Sequence, residues 1–450
     1  LPLSALAFAA ASFHAALVTA QDGEASKGTG VRTFDTSELG VDKVKQFSGY
    51  IDDNQQDKHM FYWFFESRGD PAKDPVMLWV EGGPACSSML GLFQQVGPSR
   101  IGKDLKPVLN PFSWTNRTSM IFVDQPANTG FSHTSGHVNS TKEAAKEVVT
   151  ALSTFMKQFP EYAKQDFYVA GTSYSGHFVP AIAAEILSRP ESNINLKGAI
   201  IGNGLTDPKI QFRSLRPMAC GEGGIPAVLN QTLCSALAAA EAPCQKMLQD
   251  CYDKEETKTC LSAMQQCFAA PLSLDPTLNV YDLRKPCLGS SVNFCSDDVE
   301  PIEKFLNLAS VQKVLGVEAV DKWETCVQGA GGDIQRTGDG AKPSQQFVTK
   351  ILDSKIPVLV FAGDADYICS WLGNRDWTNA LEWTGREAFG GAETKALRVA
   401  SDGKEYGNIK SAAGLSFARI FGAGHFAILD QSEGTLDLVS RFLDGELNAK

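Results

Sequence analysis

The stretch Tyr168-Val-Ala-Gly171-Thr-Ser173-Tyr-Ser-Gly176 restricts what this chain can be more than any other. An apolar run from Phe167 to Ala170 stops at Gly171, and a helix-like pattern resumes at His177. A serine on so sharp a strand-to-helix turn sits in a nucleophile elbow, with an exposed hydroxyl and a strained backbone. Gly171, Ser175 and Gly176 are small, as the close approach of strand and helix demands. The strict motif has glycine two residues after the serine, where this chain has Ser175. An ordinary strand–turn–helix with a capping serine fits the same residues. The rest of the chain must decide.

Strand-like runs at 60–65, 76–80, 119–124 and 196–204 alternate with helical pattern, notably at 141–159. That alternation predicts a mostly parallel, doubly wound sheet. The second run feeds into Glu81-Gly82-Gly83-Pro84-Ala85-Cys86-Ser87-Ser88, where the glycine pair leaves backbone N–H groups free to face a cleft. By itself, a plain Gly-Gly-Pro turn reads the same way. From 208 to 345 the chain becomes Cys-rich, Ala-rich and helical, as in an inserted cap. Strands resume at 356–361 and 415–421, and a last helix covers 435–443. The expected division is a signal at 1–20, a pro-segment or mobile terminus at 21–45, core at 46–207, cap at 208–345 and core again at 346–450.

Composition narrows the function. The chain is 43% hydrophobic and 21% charged over 450 residues, enough apolar content for a large core. A net charge of −11 without Lys/Arg runs excludes a basic surface for nucleic acid or anionic lipid. Residues 1–20 carry no Asp, Glu, Lys or Arg and end in Val18-Thr19-Ala20 before the polar Gln21-Asp22-Gly23. They read as the apolar region and cleavage site of a secretory signal, without its initiator and basic start. A membrane anchor is the other reading, disfavoured by His14 within a marginal Ala-rich run. Eleven cysteines in such a chain imply disulfides and one leftover thiol. Cys220, Cys234, Cys244, Cys251, Cys260, Cys267 and Cys287 cluster without paired CxxC spacing, which favours disulfides over zinc. Sequons at Asn116, Asn139 and Asn230 fit a glycosylated secretory product, vacuolar or secreted. His133 and His137 lie in a Ser/Gly-rich stretch without neighbouring ligands, so no metal is implied, and no cofactor.

The order of the remaining chemistry matches an α/β-hydrolase fold: serine, then acid, then histidine. The strand at 356–361 leads to Ala362-Gly363-Asp364-Ala365-Asp366, placing a carboxylate at a strand's C-terminal edge. The strand at 415–421 leads to Gly422-Ala423-Gly424-His425, and His425 is the only histidine after Asp366. Ser173 is then the nucleophile, His425 the base and acid, and Asp366 the group that orients the imidazole. The N–H groups of Gly83 and Tyr174 form the expected oxyanion hole.

At this length the motifs resemble the fungal serine carboxypeptidases, carboxypeptidase Y among them. The likeness runs from about Lys45 onward. It rests on Phe64-Phe65-Glu66-Ser67-Arg68, Gly82-Gly83-Pro84, Gly202-Asn203-Gly204-Leu205-Thr206-Asp207-Pro208, the string Pro217 to Gly224, and Asp366-Tyr367-Ile368-Cys369 with Trp371-Leu372-Gly373-Asn374. The resemblance implies release of C-terminal amino acids from peptides at acidic pH through an acyl-enzyme. It also implies the disulfides Cys86–Cys326, Cys220–Cys234, Cys244–Cys267, Cys251–Cys260 and Cys287–Cys295. Cys369 is left as the free thiol near Asp366, open to mercurials or oxidants if accessible.

The same resemblance makes Glu81, Gln95, Thr172, Cys369 and Phe426 the substrate-binding positions, and here the chain departs from its relatives. The family has asparagine where this chain has Glu81, and glutamate at Gln95 and Thr172; Ala85 replaces a glycine. An ionised Glu81 about 4 Å from a substrate carboxylate costs roughly 4 kcal/mol at an effective dielectric of 20. Protonating Glu81 removes that penalty, and Gln95 or Thr172 can donate in its place. The leading expectation is an exopeptidase with an altered carboxylate site, acting on a peptide or small acyl substrate. The alternative is an esterase, amidase or acyltransferase on the same triad, or a catalytically silent glycoprotein.

Overall fold

The computed structural model describes residues 29–287, 294–317 and 322–447; the signal reading of 1–20 lies outside them. Among the described residues the main sheet has 13 strands. Its centre is six parallel strands in the order Ser119–Val123, Val76–Val80, Phe167–Thr172, Leu196–Gly202, Val358–Gly363, Leu415–Ile420. Antiparallel strands flank them: Lys58–Phe65 and Gln46–Asp53 at one side, Glu405–Ala412 and Thr394–Arg398 at the other.

A parallel sheet must be covered on both faces, and alternate side chains show this directly. Leu78, Ile121, Val169, Ile201 and Val360 face one buried layer, closed by the helices Thr141–Gln158, Ser175–Ser188 and Gln345–Asp353. Met77, Trp79, Phe122, Ala170, Ile200 and Phe361 face the other, closed by Ser432–Leu443 and by Val299–Leu306 from the inserted region. Each fully buried Leu, Ile or Phe contributes about 1.5–3 kcal/mol, so the strand register is strongly specified.

The insertion is helical, with Gln231–Lys254, Thr257–Met264 and Gln328–Arg336 as its longer described members. Disulfides join Cys220 to Cys234, Cys244 to Cys267, Cys251 to Cys260 and Cys287 to Cys295. Cys86–Cys326 ties the insertion to the loop after Val76–Val80.

Three differences from the sequence reading have local causes. From Thr29 on, the stretch read as a pro-segment or mobile terminus is packed: Thr29–Val31 and Phe34–Asp35 pair with Gln46–Asp53, and Trp63 Nε1 donates to buried Thr36 Oγ1 at 3.0 Å. The strand expected at 356–361 begins at Val358, after Pro357, which has no N–H to donate. The antiparallel hairpin Thr394–Arg398/Glu405–Ala412 gives no signal in the linear sequence, because its first strand is exposed at four of five positions and lacks an apolar alternation. No described helix is long and apolar enough to cross a membrane.

Candidate active site

Parallel strands carry their C-terminal ends to one edge, and the loops there hold the site. Ser173 follows Phe167–Thr172, the central strand, and has φ +64°, a left-handed conformation costly to a side chain with a Cβ. The elbow is held by Ser173 N donating to Gly202 O (3.1 Å) and by Ser173 O accepting from Gly176 N (2.9 Å) and Leu205 N (3.0 Å). A Cβ on Gly171 would meet Val80 O at 2.3 Å, and one on Gly176 would meet Leu205 N at 2.5 Å, so both must be glycine. Ser175 is tolerated at the motif's variant position because its buried hydroxyl donates to Val80 O at 2.9 Å. The elbow geometry is present, not a capping serine alone.

Two strands further along, Asp366 and His425 meet. His425 Nδ1 lies 2.8 Å from Asp366 Oδ2, with both side chains buried. A carboxylate only accepts, so Nδ1 carries the proton and Nε2 is left to act on another group. His425 N donates to Tyr281 O at 2.7 Å, which fixes the loop. Asp366 Oδ2 also accepts from Asn203 Nδ2 (2.7 Å), and Oδ1 accepts from Cys369 N (3.2 Å). Asn203, which follows the strand between those of Ser173 and Asp366, carried no assigned role in the sequence. Its signal was there, in an Asn-Gly immediately after a buried strand.

The loop after Val76–Val80 presses against the elbow: a Cβ on Gly82 would lie 2.6 Å from Tyr174 N and 2.8 Å from Ser173 Cβ. Gly83 has φ +111°, and neither its N–H nor that of Tyr174 donates to any acceptor among the described residues. The Tyr174 hydroxyl donates to Asp339 Oδ2 at 3.0 Å, linking the elbow to the insertion.

Glu81, Gln95 and Thr172 form one buried cluster. Glu81 Oε1 accepts from Thr172 Oγ1 (2.8 Å), and Oε2 accepts from Gln95 Nε2 and Trp79 Nε1 (both 3.2 Å). Burial pushes the Glu81 carboxyl above its ordinary pKa; the Thr172, Gly82 and Trp79 hydrogen bonds and the charge of His425 oppose that rise. Gln95 Nε2 also lies 3.5 Å from Thr172 Oγ1, so its amide donors turn inward to the cluster.

Cys369 is buried, and its thiol is pushed well above the usual range, first by burial and then by the charge of Asp366. It is a protonated thiol, not an exposed thiolate. Phe426 packs its ring 5.4 Å from that of His425 and 6.1 Å from that of Tyr281, and Phe294 lies 5.9 Å from Phe426. Tyr281, whose ring lies 5.4 Å from that of His425, and Phe294, which packs on Tyr281 and Phe426, carried no signal in the linear sequence. His133 stacks on His59 at 4.5 Å and His137 pairs with Asp333 at 2.8 Å. Of the sequons, Asn139 and Asn230 are exposed, whereas Asn116 is half-buried with Nδ2 donating to Pro111 O at 2.8 Å.

The serine carboxypeptidase family profile matches residues 38–445. The chain belongs to the serine carboxypeptidase family. Among its relatives, carboxypeptidase Y homolog A of Talaromyces stipitatus is 50% identical over 422 residues, 92% of this chain and 76% of the relative. Carboxypeptidase Y homolog A of Chaetomium globosum is 48% identical over 422 residues, covering 93% and 76%. The structure of a prohormone-processing carboxypeptidase from Saccharomyces cerevisiae superposes with a TM-score of 0.77 at 24% identity, covering 91% of this chain and 94% of that one. The fold is therefore that of an α/β-hydrolase with an inserted, disulfide-bearing helical region, and this serine carboxypeptidase is a hydrolase acting on peptides.

Proposed function

We propose that this serine carboxypeptidase releases C-terminal amino acids at acidic pH, with Ser173, His425 and Asp366 as its triad, 46–207 and 346–450 as its core and 208–345 as the cap over the cleft. The observation that carries the triad is the buried 2.8 Å bond between His425 Nδ1 and Asp366, on the strand edge shared with the strained serine. Ser173 Oγ attacks the scissile carbonyl as His425 Nε2 takes its proton. The imidazolium, stabilised by Asp366, returns that proton to the leaving amine, and water then resolves the acyl-enzyme by the reverse sequence. The Gly83 and Tyr174 N–H groups receive the oxyanion; loss of one such donor typically costs on the order of a hundredfold to a thousandfold.

Glu81, Gln95 and Thr172 make the altered carboxylate site, with Cys369 and Phe426 at its margins. At acidic pH a protonated Glu81 is a neutral hydrogen-bond donor beside the substrate's free carboxylate; as pH rises it ionises and repels that carboxylate. The inward-facing Gln95 amide gives the alternative, an esterase, amidase or acyltransferase, its one specific support. Hydrolysis of an N-blocked dipeptide, C-terminus free or amidated, followed from acid to neutral pH, decides between them. Preference for the free acid that fades with rising pH is the expected result; equal or faster turnover of the amide sinks it. Five disulfides and the reading of 1–20 support the secretory pathway, vacuolar or extracellular, with glycans at Asn139, Asn230 and Asn116.

A further inference from the structure

Asp124 is a fully buried carboxylate that the chemistry above does not use, and no cation pairs with it among the described residues. It follows the strand Ser119–Val123, at the same sheet edge as the elbow, and reaches across to the loop that carries Gly82 and Gly83. Oδ1 accepts from Ser87 Oγ (2.5 Å) and Ser88 N (2.9 Å); Oδ2 accepts from Phe131 N (2.9 Å). A Cβ on Gly130 would fall 2.1 Å from Oδ2, so the chain is cut to fit this one group. A buried charge without a counter-charge is expensive, and an amide of the same shape accepts at one end only. With donors on both oxygens, an amide here sets its own N–H against one of them.

The loop is held on two sides. Ser87 N donates to Thr325 O (2.8 Å), Val327 N donates to Ala85 O (2.9 Å) and Cys86 is bonded to Cys326, which fastens the loop to the insertion. Asp124 fastens it to the sheet, the frame that also fixes Ser173, together with Ser88 Oγ, which donates to Val123 O at 2.6 Å. We propose that Asp124 is a positioning residue for the reaction, holding the Ser87–Ser88 end of this loop so that the Gly83 N–H is set in place before the oxyanion forms. This rests on Gly83 being an oxyanion donor.

The test is Asp124→Asn at pH 7, above the carboxyl's pKa, which burial raises to about 6. With an N-blocked dipeptide ester, kcat is expected to fall about 10- to 100-fold while KM stays within about twofold, since a displaced donor acts on the transition state alone. Inhibition by a peptide aldehyde, whose hemiacetal oxygen occupies the oxyanion site, weakens in the same proportion, and inhibition by the N-blocked amino-acid product does not change. An unchanged kcat, or equal losses in aldehyde and product binding, overturns the anchor. If wild type binds the aldehyde no better than the product, the oxyanion reading fails and the anchor with it. Should Asp124→Asn not fold, Ser87→Ala and Ser87→Thr serve instead. Alanine lowers kcat and threonine, keeping the hydroxyl, restores it; equal behaviour of the two overturns the proposal.

Discussion

Asp366 and Glu81 are both buried carboxylates at one edge of one sheet, yet their surroundings prepare them for opposite tasks. Asp366 receives Asn203 Nδ2, Cys369 N and His425 Nδ1, the last from an imidazole, a ring able to carry a positive charge. Glu81 receives only neutral donors, from Trp79, Gly82, Thr172 and Gln95, and burial raises its pKa. The difference teaches that burial alone does not set a carboxylate's role. A partner able to hold charge pairs with one carboxylate, while around Glu81 burial among neutral donors favours the uncharged form.

Breaking the triad side has the largest effect. Asp366→Asn preserves shape and forces the wrong imidazole tautomer, so kcat on an ester substrate falls on the order of 10⁴-fold; a loss below tenfold would show that Asp366 does not orient the base. On the recognition side, Glu81→Gln removes the group that ionises. Below the raised Glu81 pKa the carboxyl is neutral and the substitution changes little. Above it the wild-type anion repels a free-acid substrate, so as pH rises from acid to neutral the variant's KM falls below that of wild type by up to roughly a thousandfold. A variant that keeps the wild-type KM at both pH values breaks the contrast. Asn203→Ala sharpens it from the other direction by deleting one donor to Asp366. A hydrogen bond to a charged group is worth about 1.5–3 kcal/mol, which predicts a kcat loss of roughly 10- to 150-fold for acid and amide substrates alike. The smallest effect is at Cys369: alkylation of the folded protein at pH 7 runs at least about tenfold slower than of free cysteine and rises to that rate in denaturant. Fast labelling of the native enzyme would mean that the thiol is open to solvent.

Much of this was legible in the linear chain. The elbow, the Ser–Asp–His order and the strands leading to them are local patterns, because a buried parallel strand must be a short apolar run and its loop must begin where that run ends. Legibility stopped where a role depends on a partner far away in sequence. Nothing near Gln95 says that its amide turns to Glu81 and Thr172, nor does anything near Asn203 point to Asp366. The hairpin at 394–412 is silent in the sequence for a related reason: the pairing of Glu405–Ala412 with Leu415–Ile420, not local periodicity, holds it in the sheet.

By itself, then, the sequence determined the fold class, the sharp turn at Ser173 and the order in which serine, acid and histidine follow one another, since strand burial and turn sterics act over a few residues. Only the tertiary structure decided which donors meet which carboxylate. Crossover connections bring residues 81, 95 and 172 into one buried cluster, and 203, 366 and 425 into another. In the low-dielectric interior those neighbours set whether a buried carboxyl holds its charge.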